Sequence, residues 1–318
     1  MWTRGARAIF RRACRYTLSV PVGQRRRMRF RLLCTTLVAV PMIAGLAAPA
    51  RQDVVQKTAL VTVVAEARGP VANLGPRDLV VREDRATRDV LDVRPATEPI
   101  FIALLIDTIR PAAGVLAPTQ DYRRGLAAFV STIKGGNPDA QIAILDYSGA
   151  TVTAIDFTSE APTLDRYIQR LFPNRQADAV LIEAVVEGAR KLGDKPSPRR
   201  AIVVVDFNSR DSSAVPAMQQ AAEIVNKSGA TVWTVSVRST SASSSHREDV
   251  LNVVTRSSGG TRLTIVEPTG LEAMLKSVAN SLLSQYTVTF TRPANATVKS
   301  TQMKTAKGGK VLLTPWMR

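Results

Sequence analysis

Two apolar runs organise the chain. Residues 100–106 (IFIALLI) and 201–205 (AIVVV) contain no polar position, the pattern of strands covered on both faces in a parallel sheet. Elsewhere the rhythm becomes helical. Tyr122, Leu126, Phe129, Val130 and Ile133 share one face of a predicted helix over 121–134, which Gly135-Gly136-Asn137-Pro138 stops. Residues 141–147 (QIAILDY) read as a second buried strand. Residues 151–157 (TVTAIDF) alternate and read as a half-exposed edge strand paired with it. Further strands are predicted over 231–237 and 261–266, and further helices over 162–171, 179–192, 215–228, 247–256 and 271–283. This alternation predicts an α/β fold: a doubly wound, mostly parallel six-stranded, Rossmann-like sheet over residues 99–284.

The flanks follow a period of two. Residues 60–66 (LVTVVAE), 79–82 (LVVR) and 90–93 (VLDV), separated by turn signals, predict a small N-terminal β module over 51–98, with Pro95 and Pro99 at its boundary. Residues 286–291 (YTVTFT) and 310–313 (KVLL) predict a short C-terminal β tail over 285–318. No internal repeat is visible.

Charge changes the picture at the N-terminus. The net charge of +17 is concentrated there: residues 1–50 hold ten arginines and no acid. Removing those ten from 43 basic residues leaves 33 against 26 acidic, a net +7. No basic run is interleaved with aromatics, so the balance does not point to nucleic acid. Residues 25–31 (RRRMRFR) form a basic n-region and 32–46 an apolar h-region, and Ala48-Pro49-Ala50 offers small residues before Arg51. Residues 1–50 are therefore read as a leader, with a signal peptide starting at Met28 and 1–27 as a mis-called extension. The predicted product is exported, periplasmic or secreted. An uncleaved anchor helix is the alternative, and the only case in which a membrane becomes a partner. The apolar run is short of the roughly 20 residues that span a bilayer and contains Pro41 and Gly45.

Cys14 and Cys34 both lie in the leader, so the mature chain has no thiol for catalysis, zinc or disulfides. The single histidine, His246, follows the Ser-rich residues 239–245, which rules against a Ser-His-Asp triad or a multi-His metal site. No Gly-rich phosphate loop and no Gly-x-Ser-x-Gly elbow occurs.

The chemistry that remains is two acids. Asp107 closes the first apolar run and Asp206 the second, which places both at carboxyl ends of strands, where open α/β sheets hold ligands. The same placement also fits a plain structural role, since a strand-terminal Asp caps the following turn through its side-chain oxygen. Leu105-Ile106-Asp107-Thr108, residues 142–147, Phe157-Thr158-Ser159, Val204-Val205-Asp206 and Ser284-Gln285-Tyr286, taken in order, resemble the von Willebrand factor A domain. More narrowly, the chain resembles the exported bacterial proteins of that kind, over about residues 60–315. The resemblance implies a partner-binding module whose top loops carry a metal-ion-dependent adhesion site of the form Asp-x-Ser-x-Ser, a middle-loop Thr and a second Asp. Mg²⁺ is a hard ion that suits such an oxygen set.

Carried over residue by residue, that site is degenerate. Asp107 and Asp206 match its two acids. Ile109 and Pro111 stand at the serines, Ala179 at the threonine, and Phe207 replaces a glycine. Asp107 and Asp206 are thus the residual metal ligands, with Asp178 and Asp211 as neighbouring acids able to substitute; no cofactor is expected beyond, at most, weak Mg²⁺ binding. The partner-binding expectation falls on the rim formed by loops 108–119, 174–179 and 207–214: Arg110, Arg175 and Arg210, with Asp178 and Asp211. Guanidinium groups pair well with carboxylates, so such a rim could bind a partner's acid directly. Two other functions stay open. One is a structural subunit of an envelope assembly built through exposed strand edges. The other is a metal-assisted hydrolase using the paired acids. The sequence does not name the partner or the oligomeric state.

Overall fold

A computed structural model describes residues 53–65, 69–109, 119–173, 175–237 and 245–318. The leader, Arg110, Pro111 and Asn174 lie outside the described residues. In chain order the strands are β1 (Val54–Ala65), β2 (Gly69–Pro70), β3 (Leu79–Glu83), β4 (Ala86–Arg88), β5 (Val90–Pro95), β6 (Phe101–Ile106), β7 (Gln141–Asp146), β8 (Val152–Thr158), β9 (Arg200–Asp206), β10 (Thr231–Val237), β11 (Arg262–Ile265), β12 (Gln285–Pro293), β13 (Thr301–Thr305) and β14 (Lys310–Met317). The helices are α1 (Thr119–Gly136), α2 (Ala161–Arg170), α3 (Leu181–Gly193), α4 (Val215–Ser228), α5 (Ser245–Ser257) and α6 (Leu271–Leu283). None of the described helices is long and apolar enough to cross a membrane.

The central sheet has the order β11-β10-β9-β6-β7-β8, parallel except for the edge strand β8. Alternation along β6 explains both covers. Ile102, Leu104 and Ile106 pack with residues of α1, α2 and α6, and Phe101, Ala103 and Leu105 with residues of α3, α4 and α5. A strand buried on both faces must be apolar throughout, which is why these runs carry no polar residue. β6 lies between β9 and β7. The chain leaves β6 through α1 toward β7, while β9 is reached on the other side, so the winding direction switches between β6 and β9.

The N-terminal and C-terminal strands build a common β region. β12 pairs with both β1 and β5, and β14 with β1, giving the order β14-β1-β12-β5. β13, β3 and β4 form a small third sheet. A separate core of Ala59, Val61, Val63, Val81, Val288 and Phe290 lies in this region. β13 was not legible in the sequence because TQMKT offers one apolar residue, Met303, to its buried face. Glu83, buried in this region, is paired by Arg88 and Arg292. At the amino end of β9, the buried Arg199 donates to the carbonyls of Glu98 (2.9 Å) and Leu282 (2.8 Å) and to Gln285 Oε1 (3.2 Å). One guanidinium thereby ties the approach to β6, the end of α6 and the start of β12 together.

Candidate functional site

Four aspartates stand at the carboxyl end of the sheet, and each locks the turn that follows it. Asp107 Oδ1 accepts from Ile109 N–H (2.8 Å), Asp146 Oδ1 from Ser148 N–H (2.9 Å), Asp206 Oδ1 from Asn208 N–H (2.8 Å) and Asp211 Oδ1 from Ser213 N–H (2.9 Å). Each is a side chain bonding its own backbone two residues on, which is how Asp fixes tight loops. The loops are also stitched sideways. Ala179 bridges to both Ser148 and Asp211, and Ile109 to Arg175. Thr108 donates its hydroxyl to Asp146 Oδ2 at 2.6 Å and its N–H to Ser148 Oγ at 2.8 Å.

Two of these carboxylates, Asp206 and Asp211, also face one cation. Arg247, in the first turn of α5, donates through Nη2 to Asp206 Oδ1 and through Nη1 to the carbonyl of Ser209 (2.7 Å). Its Nε lies 3.7 Å from Asp211 Oδ2, and the side chains of Arg247, Asp206 and Asp211 are at most 1% exposed. Ser209 Oγ donates to Asp107 Oδ2 (2.6 Å), and Ser236 Oγ donates to Asp206 Oδ2 (3.2 Å). A continuous polar chain thus runs from Asp107 through Ser209 and Arg247 to Asp206 and Asp211.

Burial pushes the Asp107 carboxyl up to about 7, against the lowering effect of the Ser209 and Ile109 donors, and the nearby Asp206 charge adds to the rise. Burial acts to lower the Arg247 pKa, but Asp206, Tyr147 and Asp211 together outweigh it, so the net shift is upward and the guanidinium stays charged. Burial and the Asp107 charge raise Tyr122 and Tyr147 well above the ordinary phenol range. Both phenols are therefore neutral. The Tyr122 hydroxyl accepts from Asp107 N–H (2.9 Å) and Tyr147 donates to the Val205 carbonyl (2.9 Å).

No family model matches the sequence, and neither does any curated protein. Solved structures do match. A von Willebrand factor type A structure from Catenulispora acidiphila aligns with a TM-score of 0.50 at 10% identity, over 80% of this chain and 71% of that one. The fold is that of the von Willebrand factor A domain. The chain is also similar to the conserved hypothetical protein BatB of Bacteroides thetaiotaomicron (TM-score 0.42, 14% identity, 57% of this chain and 98% of that one). A further likeness is to the vWF domain of the type V pili tip protein Mfa5 of Porphyromonas gingivalis (TM-score 0.47, 12% identity, 59% and 96%).

Within this von Willebrand factor A fold, the residues present do not fit a divalent ion. Mg²⁺ needs near-octahedral oxygen donors. Both oxygens of Asp107 and of Asp206 already accept hydrogen bonds, and the Asp206 and Asp211 carboxylates face a guanidinium. Ile109 and the fully buried Ala179 supply no side-chain oxygen where the motif has Ser and Thr. Among the described residues no group of three or more His, Cys, Asp or Glu is arranged as a ligand set.

The expected rim residues separate into two groups. Arg210 is 86% exposed and lies 3.5 Å from Asp178 Oδ2. Arg175, with its side chain 52% exposed, lies 3.7 Å from Asp146 Oδ2 and reaches the Ser148 carbonyl at 3.5 Å. Asp211 does not join them. Its carboxylate turns inward because Leu181 N–H (3.2 Å), Ser213 N–H and Arg247 hold it. Arg247, Ser209 and Ser236 were missed by the sequence reading. One signal for Arg247 was available: a cation in the first turn of a helix opposes the helix dipole, so it needs a tertiary anion to hold it there.

Proposed function

We propose that this domain is an exported, non-catalytic protein-interaction module. It binds an acidic partner surface through the rim at the carboxyl end of its sheet, without a metal bridge. The observation that carries this reading is the contrast between a sealed centre and an open cationic edge. Asp107, Asp206 and Asp211 are out of reach of a substrate, whereas Arg210 and Arg175 reach solvent on adjoining loops. Exposed guanidinium groups bind carboxylates in paired hydrogen bonds. The basic leader supports an extracellular or envelope location for the mature domain.

The test is capture from an envelope extract by the protein and by an Arg175→Glu, Arg210→Glu double variant, with chemical crosslinking. A stoichiometric partner retained by the wild type, released by salt and lost in the variant supports the reading. Capture indifferent to charge reversal refutes it. A second reading, a structural subunit of an assembly, is favoured by one observation: β5 is an edge strand, and Leu91 on it is exposed, as are Val54 and Val55 on β1. Concentration-dependent self-association by light scattering would mark that case.

A further inference from the structure

The centre of the site has an unusual charge arrangement. Three carboxylates, Asp107, Asp206 and Asp211, come from the ends of two adjacent strands and the loop after the second. A buried carboxylate without a counter-charge is strongly disfavoured. In a fold of this kind the expected counter-charge is a metal ion held by loop oxygens. Here Ile109 and Ala179 carry no side-chain oxygen, and a cation arrives from a different element, α5. Its contacts are those a bound ion would make: a carboxylate at the end of β9, a backbone carbonyl of the next loop, and a second carboxylate in that loop.

We infer that the Arg247 guanidinium is a built-in replacement for the divalent ion, a covalently attached cation that organises the top loops and makes the site independent of metal. Three consequences follow. The cation cannot be withdrawn by a chelator. It offers no open coordination position, since Arg247 is sealed from solvent, so a partner's acid must be met by the outer rim. It also fixes the start of α5 to the ends of β9 and the loop after it. The inference concerns only the centre of the site and stands whether or not the rim binds a partner.

The test is thermal unfolding of the full-length protein with EDTA and with rising Mg²⁺ or Mn²⁺, beside Arg247→Ser. The wild type is expected to keep the same Tm throughout. Arg247→Ser frees the cavity and leaves Asp107, Asp206, Asp211, Ser209 and Ser236 around it. It is expected to melt lower and to recover Tm saturably with millimolar Mn²⁺, a response that Asp206→Asn on the same background abolishes. A purely structural arginine would give the loss of Tm without metal rescue. If Arg247→Ser does not fold, Arg247→Gln carries the same titration, since it removes the charge, keeps the bulk and supplies an amide oxygen. A saturable Tm rise of the wild type with metal overturns the inference. So does a charge-removing variant that gains no metal response.

Discussion

Arg247 and Asp206 form a buried ion pair across 41 residues of sequence, with side chains 1% and 0% exposed. The pair joins the first turn of α5 to the last residue of β9. Three further residues connect to it. Asp211 faces the same guanidinium, Ser209 links it to Asp107, and Ser236 satisfies the second oxygen of Asp206.

Removing one partner of this pair should be costly. Arg247→Met leaves Asp206 buried without a counter-charge and is expected to lower the unfolding free energy by about 3–5 kcal/mol. Adding Asp206→Asn should recover part of the loss, because the desolvated charge goes with it. Urea denaturation of the two single variants and the double variant measures the coupling. Strict additivity would sink the claim.

Asp107 sets a pH dependence with a definite sign. Its carboxyl is raised from an ordinary 3.8 to about 7 by burial. Between those values the folded state holds a proton that the unfolded state has released. Its contribution to stability is therefore full below about pH 4, declines as pH rises, and is gone above about 7, with a slope of up to about 1.4 kcal/mol per unit. Asp107→Asn should flatten this part of the stability profile and melt higher than the wild type at pH 8. Chemical denaturation across pH 4–8 decides it. An Asn variant with the wild-type slope would assign the titration elsewhere.

The three acceptors gathered by Arg199 cannot be served by a smaller cation. Arg199→Lys keeps the charge but not the planar fork that reaches Glu98, Leu282 and Gln285 together. Each buried acceptor left unpaired costs roughly 1–3 kcal/mol. The variant is expected to show a clear drop in denaturant midpoint with unchanged far-UV circular dichroism, and Arg199→Ala a larger one.

Gly260 is required by close approach of backbone. A Cβ there would sit 1.8 Å from the Val232 carbonyl oxygen on β10. Gly260→Ala must push the turn before β11 away from the sheet. A loss above about 4 kcal/mol, or failure to accumulate as soluble protein, is expected. Gly135→Ala, where a Cβ meets nothing within 4 Å, is the control and should leave the melt unchanged or raised.

The fold was legible because its signals are local. Residues 100–106 and 201–205 read as doubly covered strands, and the helical faces at 121–134 and 271–283 stood out against them. The acids at 107 and 206 were placed at strand ends by the same reasoning. What the sequence could not supply was which loop contacts which. Asp211 looked like a rim residue until the bridges around Ala179 turned it inward. Arg247 looked like one more charge at the start of a helix, although it lies 41 residues from its carboxylate. Short-range periodicity determines elements and their order. Whether two distant charges meet depends on how helices settle on the sheet, because a buried carboxylate takes whichever counter-charge the packing delivers. The sequence by itself determined the layered α/β sheet and the absence of side-chain oxygens at Ile109 and Ala179, and only the tertiary structure decided that a guanidinium meets the carboxylates of Asp206 and Asp211.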